Sequence, residues 1–206
     1  MHHNPQWLQW AIELQALAQI GLTYTDGIYD RERYTRIREI SAEMLACQTE
    51  LPLEKVKDLF CSDTGYQTPK LDTRAAIFQD DKILLVQETD GTWSLPGGWV
   101  DVTCSVKENT IKEVREEAGL EVTADLVIAV QDREKHNLPI YAYKVCKIFV
   151  LCNLIGGEFQ PNSETIASDY FDINHLPPLA MSKNTGEQIQ MCFDAYHAEH
   201  WTTLFD

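Results

Sequence analysis

The hydrophobic pattern of the chain changes near residue 67, and this change limits what the chain can fold into. Before it, apolar residues recur at helical spacing in three segments, which are separated by a turn at Asp26-Gly27 and by Pro52. After it, short runs rich in β-branched and aromatic residues predominate, and only two helical segments interrupt them. The sequence therefore predicts a small all-helical domain over residues 1–66 and an α/β domain over residues 67–206.

The first helix is expected to end at Gly21 and to bury a face that includes Trp10 or Ala11, Leu14 and Leu17. Three helices in about sixty residues bury little apolar surface, so this domain is marginal by itself. We therefore expect it to lean on the rest of the protein or on a second copy of the chain. The sequence predicts a homodimer in which this domain serves dimerisation or covers the substrate.

The second region predicts a mixed α/β sandwich. Strands are expected at residues 74–78 and 82–88, and helices from about 105 to 118 and from about 185 to 198. Strands outnumber helices and do not alternate with them regularly, which argues against a doubly wound sheet. Lys147, inside a long apolar run, is predicted to lie on a solvated strand edge.

The charge of the chain limits its partners. With 32 acidic and 17 basic residues, the formal net charge is −15, which repels long nucleic acids and acidic membranes. A small anionic ligand remains compatible, because a divalent cation and a few basic side chains can reverse the local potential. The absence of a secretory or membrane-spanning pattern and the six scattered cysteines, read as reduced thiols, predict a cytoplasmic protein.

One helix carries three carboxylates on one side. It follows the glycine-rich turn LPGG, and its start is marked by the S-x-x-E capping box at Ser105. At about 100° per residue, Glu113, Glu116 and Glu117 fall within one arc. Like charges at this spacing destabilise a helix, and Mg²⁺ would remove that cost while sharing its oxygen ligands with substrate phosphates. A solvated acidic face is the alternative for the bare pattern.

The same stretch resembles the Nudix box, in which a glycine and a spaced glutamate precede Arg-Glu-aliphatic-any-Glu-Glu-any-Gly-aliphatic. Gly98 takes the opening place, and the closing part matches at Glu113, Val114, Glu116, Glu117, Gly119 and Leu120. Two positions depart from the pattern. Cys104 stands where the first glutamate is expected, and Lys112 stands where the arginine is expected. We interpret the two departures together as the loss of a supporting ion pair outside the three-carboxylate face.

Nearly the whole chain is similar to the Nudix subgroup that hydrolyses nucleoside diphosphates linked to a second moiety, of the CDP-choline or ADP-ribose type. The resemblance implies a Nudix α/β/α sandwich with a mixed sheet and a pyrophosphohydrolase that releases a nucleoside monophosphate and a phosphorylated product. It also implies Mg²⁺, with Mn²⁺ as a substitute, held by the catalytic Glu113, Glu116 and Glu117. The sequence assigns the role of general base to none of the three in particular.

Further site residues are predicted outside the helix. Glu164 is a candidate fourth metal ligand, although an exposed loop glutamate explains it equally well. A basic side chain near the site could offset substrate charge, with an ordinary surface salt bridge as the alternative. An aromatic side chain could stack on a base, with core packing as the alternative. The predicted substrate-binding residues are Arg74, Trp99, Arg133, Lys135 and His136.

Two other functional classes compete with hydrolysis of a linked nucleoside diphosphate. A non-catalytic Nudix nucleotide sensor would leave the acidic helix face without a purpose. A nucleoside triphosphate or RNA cap pyrophosphohydrolase is the third class, and the net charge of −15 weighs against RNA because phosphate contacts demand basic surface.

Overall fold

The computed structural model describes residues 5–49, 52–62, 64–139, 141 and 143–206. The chain divides into two compact units: residues 1–69 with 140–144, and residues 70–139 with 145–206. The first unit contains three helices, namely α1 (Gln6–Tyr24), α2 (Ile28–Gln48) and α3 (Leu53–Phe60). No helix in these described ranges has the length and apolar character needed to cross a membrane.

The packing face of α1 differs from the predicted one. Ala11 and Ala18 are fully buried, whereas Trp10 and Leu17 are 55% and 57% exposed. Small residues two turns apart let the backbones of α1 and α2 approach closely, and the large apolar residues are left on the outer side. The prediction that Trp10 or Ala11 is buried is therefore confirmed by Ala11, and the prediction for Leu17 was wrong. The small core of this unit comprises Ala11, Ala42, Leu45, Val56 and Phe60.

The second unit is built from strands and helices in the order β1 (Lys70–Gln79), β2 (Lys82–Glu88), β3 (Trp93–Ser94), α4 (Val106–Ala118), β4 (Leu120–Asp132), α5 (Arg133–His136), β5 (Val145–Gly157), β6 (Thr165–Phe171), a 3₁₀ turn (Ile173–His175), α6 (Gly186–His197) and β7 (Leu204–Phe205). Both predicted helices and both predicted strands are present. The sheet order is β3-β2-β1-β5-β4-β7, and β6 pairs with β2.

The sheet is mixed and is covered by a helix on each face. β1 pairs parallel with β5 but antiparallel with β2, and β4 pairs antiparallel with β5. Successive residues of β1 alternate between two cores: Ala75 packs in the core that contains Val114 of α4, and Ala76 packs in the core that contains Ile189 of α6. These two layers of helix around one sheet confirm the predicted α/β/α sandwich.

Three charged side chains are buried together where β1 lies beside β5. Asp72 Oδ1 lies 2.7 Å from Arg74 Nη2, and its Oδ2 lies 2.8 Å from Lys147 Nζ. Burial alone would raise the pKa of Asp72, but the two cations together lower it. Lys147 is 2% exposed. The prediction of a solvated edge was wrong because β5 lies between β1 and β4, and the carboxylate of Asp72 compensates the buried ammonium.

We expect Asp72→Asn to destabilise the second unit by about 3–5 kcal/mol, because it leaves two buried cations without their counterion. The measurement is urea unfolding followed by tryptophan fluorescence. Asp30→Asn is the matched control, since Asp30 pairs with Arg33 at 2.6 Å on the exposed surface of α2. A midpoint for Asp72→Asn equal to that of the control would contradict a structural role for the buried cluster.

Candidate active site

A tight glycine turn follows β3 and packs on β1. Gly97 has a φ of 145°, and a Cβ at this position would overlap the carbonyl oxygen of Thr73. Backbone hydrogen bonds hold the turn against β1: the Thr73 amide donates to the Gly98 carbonyl at 2.9 Å, and the Ala75 amide donates to the Pro96 carbonyl at 2.8 Å. Only glycine meets both the backbone conformation and the close approach at position 97.

Helix α4 is fixed at both ends relative to this turn. At its start, the Ser105 side chain and the Glu108 amide form the predicted capping box. At its end, Gly119 adopts the left-handed conformation with a φ of 67°. Between them, Asn109 Nδ2 donates to Thr73 Oγ1 at 3.0 Å and its Oδ1 accepts from the Asp101 amide at 3.1 Å. The rotation of α4 is thereby set against β1.

Two of the predicted carboxylates lie against the glycine turn. Glu117 is 5% exposed, and its Oε2 accepts a hydrogen bond from the Gly97 amide at 2.8 Å. Burial raises the pKa of Glu117 to about 7, despite the opposing effects of Arg74 and this hydrogen bond. The side chain of Glu113 is 12% exposed, and a Cβ on Gly98 would stand 2.7 Å from its Oε2. Burial likewise raises the pKa of Glu113.

The third carboxylate faces solvent beside a lysine. The side chain of Glu116 is 51% exposed, and its Oε2 lies 3.4 Å from Lys112 Nζ. The same ammonium lies 3.3 Å from Glu113 Oε1 and 2.9 Å from Asp101 Oδ2. The ion pair expected to be lost with Cys104 is therefore supplied by Asp101, because the lysine finds this nearby acid instead. Lys112 connects α4 to the loop that follows the glycine turn.

The donor atoms suit a hard divalent cation. Within the described ranges, no three His, Cys, Asp or Glu side chains are gathered in a metal-ligating arrangement. Nevertheless, Glu113 and Glu117 place carboxylate oxygens at the same turn. Burial raises the pKa of both groups, and the charge of Glu113 adds to the rise at Glu117. A cation between them would offset that unfavourable charge, and carboxylate oxygen is the ligand that Mg²⁺ prefers.

Glu164 is exposed, but its loop is attached to the last turn of α4. Asn162 Nδ2 donates to the Glu116 carbonyl at 2.9 Å, and Thr165 Oγ1 donates to the Glu117 carbonyl at 2.6 Å. The Glu164 amide in turn donates to Asn162 Oδ1 at 2.9 Å. The structure thus brings the backbone of this loop to the acidic helix.

The two predicted substrate-binding arginines are buried. Arg74 belongs to the Asp72 cluster and also donates from Nη1 to the Leu95 carbonyl at 3.2 Å. Arg133 is 1% exposed and donates from Nε to the Ser182 carbonyl at 3.3 Å and from Nη1 to the Pro139 carbonyl at 2.8 Å. Both guanidinium groups therefore hold loops in place around the site.

The other predicted substrate-binding residues lie at the surface. Trp99, directly after the glycine turn, is 47% exposed and forms a β-bridge with Asp72. Lys135 is exposed, and His136 Nε2 lies 2.6 Å from Asp206 Oδ2. In the described part of the chain, neither of these two basic side chains is hydrogen-bonded to a carboxylate of α4.

Sequence reasoning missed several polar residues around the glycine turn. The alternation of Asp72 and Arg74 along one strand, and the single lysine in the apolar run of β5, were available signals for the buried cluster. Lys183 pairs with Glu88 at 2.7 Å and lies near enough to Glu117 to lower the pKa of its carboxyl. No local sequence pattern predicts this pair, because Glu88 and Lys183 are far apart in the sequence and meet only in the folded chain.

Comparisons with known proteins agree with this architecture. Residues 5–60 match the family model described as a UDP-X-like, N-terminal oligomerisation domain, and residues 69–192 match the NUDIX domain model. YjhB of Bacillus subtilis, provisionally named an ADP-ribose pyrophosphatase, is 40% identical over 98% of this chain and 97% of its own length.

Two solved structures are similar as well. A crystal structure of an ADP-ribose pyrophosphatase from Streptococcus suis is 62% identical, covers 68% of this chain and 100% of its own, and has a TM-score of 0.64. A crystal structure of a UDP-X diphosphatase is 33% identical, covers 96% of this chain and 97% of its own, and has a TM-score of 0.64. With the glycine turn and the acidic helix in register, these matches show that the chain belongs to the Nudix hydrolase family.

Proposed function

We propose that the protein hydrolyses the diphosphate bond of a nucleoside diphosphate linked to another group, with ADP-ribose as the first substrate to test and UDP-linked compounds and CDP-choline in the same class. The products are a nucleoside monophosphate and the phosphorylated second group. The observation that carries this proposal is the burial of Glu113 and Glu117 against the Gly97–Gly98 turn. The names of the similar proteins support the choice of substrate class.

In this proposal Mg²⁺, or Mn²⁺ in its place, is held by Glu113, Glu116 and Glu117, with Glu164 as a fourth ligand. When bound, the metal supplies neutralisation of the diphosphate charge and a lower pKa for the attacking water. A water oxygen bonds to one phosphorus, the bridging oxygen leaves with the other phosphate, and the water proton passes to a carboxylate. The Gly97 amide keeps the Glu117 carboxylate in position throughout.

The proposed substrate contacts come from exposed side chains near the turn and at the end of β4. Trp99 offers an aromatic face, Lys135 offers positive charge and His136 offers an imidazole ring. Arg74 is proposed to attract the substrate phosphates electrostatically without contacting them, because its guanidinium is buried beside Glu117. Arg133 supports the loop that contains Ser182.

We also propose that the protein forms a homodimer through its helical unit. Trp10, Leu17 and Tyr24 are exposed and recur every seven residues along α1, which is the spacing of a helix–helix seam. Ile28 and Tyr29, at the start of α2, are also large apolar residues exposed to solvent. The match of residues 5–60 to an oligomerisation domain supports this assignment.

The substrate proposal predicts Mg²⁺-dependent turnover of ADP-ribose, UDP-linked compounds or CDP-choline, with dGTP and capped RNA as poor substrates. Products are identified by chromatography and mass spectrometry, and removal of the metal with EDTA should abolish release. Glu117→Gln should lower kcat/KM by about 100-fold or more. Glu121→Gln, an exposed glutamate just beyond α4, is the control and should retain activity. Tight nucleotide binding without turnover, kept in Glu117→Gln, would instead favour a sensor.

The buried carboxylate predicts an unusual dependence of stability on pH. Burial raises the pKa of Glu117 to about 7 in the folded protein. The protonated side chain therefore makes its full contribution to the free energy of unfolding below the unfolded pKa, and this contribution is lost as the pH rises through about 7. Without metal, Glu117→Gln should therefore stabilise the protein by up to about 3 kcal/mol near pH 8 and by little near pH 5. Thermal unfolding measures both.

Added Mg²⁺ should raise the melting temperature of the native protein near pH 8 more than that of Glu117→Gln, because the metal binds the ionised carboxylate. Glu121→Gln should behave as the native protein in every condition. If Glu117→Gln raises the melting temperature equally at both pH values, burial of the ionised carboxylate does not destabilise the folded protein.

The dimer proposal predicts that Leu17→Glu weakens self-association by at least about tenfold, since it places a charge in each half of a symmetric apolar seam. Light scattering coupled to size-exclusion chromatography, over a range of concentrations, measures the mass. Ile155→Glu is the matched control, because Ile155 is an exposed apolar residue of β5. A monomeric native protein, or an unchanged dimer in Leu17→Glu, would rule out this seam.

A further inference from the structure

Arg74 and Lys183 both lie within electrostatic reach of Glu117, and Lys183 is the more accessible of the two. The side chains of Arg74 and Lys147 are 5% and 2% exposed and are bound to Asp72. The side chain of Lys183 is 33% exposed, and its Nζ lies 2.7 Å from Glu88 Oε1. Its charge lowers the pKa of the Glu117 carboxyl, so the ammonium lies within electrostatic reach of the acidic helix.

The backbone that carries Lys183 is held by buried side chains. The carbonyl oxygens of Met181, Ser182 and Lys183 each accept a hydrogen bond from one of them; the donors are Asn137, Arg133 and Lys147 in that order. The next residue, Asn184, is fully buried, and its Oδ1 accepts from the Leu95 amide at 2.8 Å. We name residues 181–184 the anchored loop. Four successive attachments leave its backbone little freedom, so Lys183 is preorganised beside the glycine turn.

The pair formed by Lys183 and Glu88 is also positioned by the turn. Glu88 Oε1 accepts a second hydrogen bond, from Ser94 Oγ at 3.1 Å, and Ser94 directly precedes the Leu95 that binds Asn184. An ammonium group has three donors, and Glu88 engages one of them. Lys183 is therefore held in place and keeps donors for an oxygen ligand.

An acidic enzyme needs accessible positive charge where an anion binds. The net charge of −15 repels a diphosphate from the surface as a whole. Lys112, an accessible cation on α4, already faces three carboxylates at 2.9 to 3.4 Å. Lys183 has a single ion-pair partner within the described ranges, which leaves it the better placed of the two for phosphate oxygens.

We propose that Lys183 binds a phosphate oxygen of the diphosphate substrate and that Glu88 holds its ammonium ready for this contact. The assignment rests on the proposed function, because it names a further substrate-positioning residue of that site. Since the contact is made with the bound substrate as well as with the transition state, its removal weakens binding more than it slows turnover.

The test compares Lys183→Met, Lys183→Arg and a control, Lys82→Met, in the full-length protein. Lys82 and Glu88 lie at opposite ends of β2, so the control removes an exposed lysine far from the turn. Lys183→Met keeps the aliphatic stem and the anchored carbonyl. We expect it to raise the KM for ADP-ribose at least about tenfold with kcat within about threefold, while Lys183→Arg recovers most of the loss and Lys82→Met changes neither constant.

Glu88→Gln distinguishes substrate binding from a purely structural ion pair. It keeps an acceptor for Ser94 and leaves the ammonium in the site without its charged partner, so the proposal predicts a KM that rises less than in Lys183→Met. If Lys183→Met and Glu88→Gln raise KM to the same extent, the pair acts only as a structural contact and the proposal is overturned. A KM for Lys183→Met within about twofold of the native value overturns it as well.

A readout without turnover separates this proposal from the proposed function. The dissociation constant for ADP in the presence of Mg²⁺, measured by calorimetry, should rise at least about tenfold in Lys183→Met and stay unchanged in Lys82→Met. If the native protein hydrolyses no linked nucleoside diphosphate but this difference in ADP binding is found, the proposed function fails and the role of Lys183 stands. If the native protein is active and the two variants bind ADP equally, only the role of Lys183 fails.

Discussion

The hydrogen bond between the Gly97 amide and the Glu117 carboxylate connects the three parts on which the site depends. It joins the glycine turn to α4, and the turn is itself hydrogen-bonded along β1. The contact is possible because position 97 has a backbone conformation and a proximity to Thr73 that exclude any side chain. Moving α4 by one residue would bring Glu116 or Ala118 to this place and remove Glu117 from the turn.

Burial at this turn changes the proton affinity of two carboxylates. Glu113 and Glu117 lose solvent when α4 packs on the sheet, which raises the pKa of each group above that of an exposed glutamate. At the proposed metal site, a bound cation would compensate this charge. Glu116, by contrast, stays in solvent and pairs with Lys112.

Four positive charges near the glycine turn and α4 fall into two groups. Arg74 and Lys147 are buried on either side of Asp72, where they join β1 to β5 and fix the neighbouring loops. Lys112, which belongs to α4, and Lys183 are more accessible. The buried group holds the strands and loops beside the glycine turn, and Lys183 is the cation that we propose for the substrate phosphates.

The sequence by itself determined the elements whose signals are local. The capping box at Ser105, the glycine at position 119 and the register of three glutamates on α4 depend on residues within one helix, so periodicity was sufficient. The sandwich followed from the order and number of strands and helices. The match to the Nudix box added the family, because its glycine and glutamate spacing records a turn and a helix that are adjacent in the chain.

Only the tertiary structure decided which side of each element is buried and which distant residues meet. Trp10 and Leu17 face outward because Ala11 and Ala18 let two helices approach, and hydrophobicity alone does not reveal this choice. Lys147 is buried because β5 is a central strand, a position set by strand order. Such contacts join residues far apart in sequence, and their energies depend on the folded packing, which no local pattern encodes.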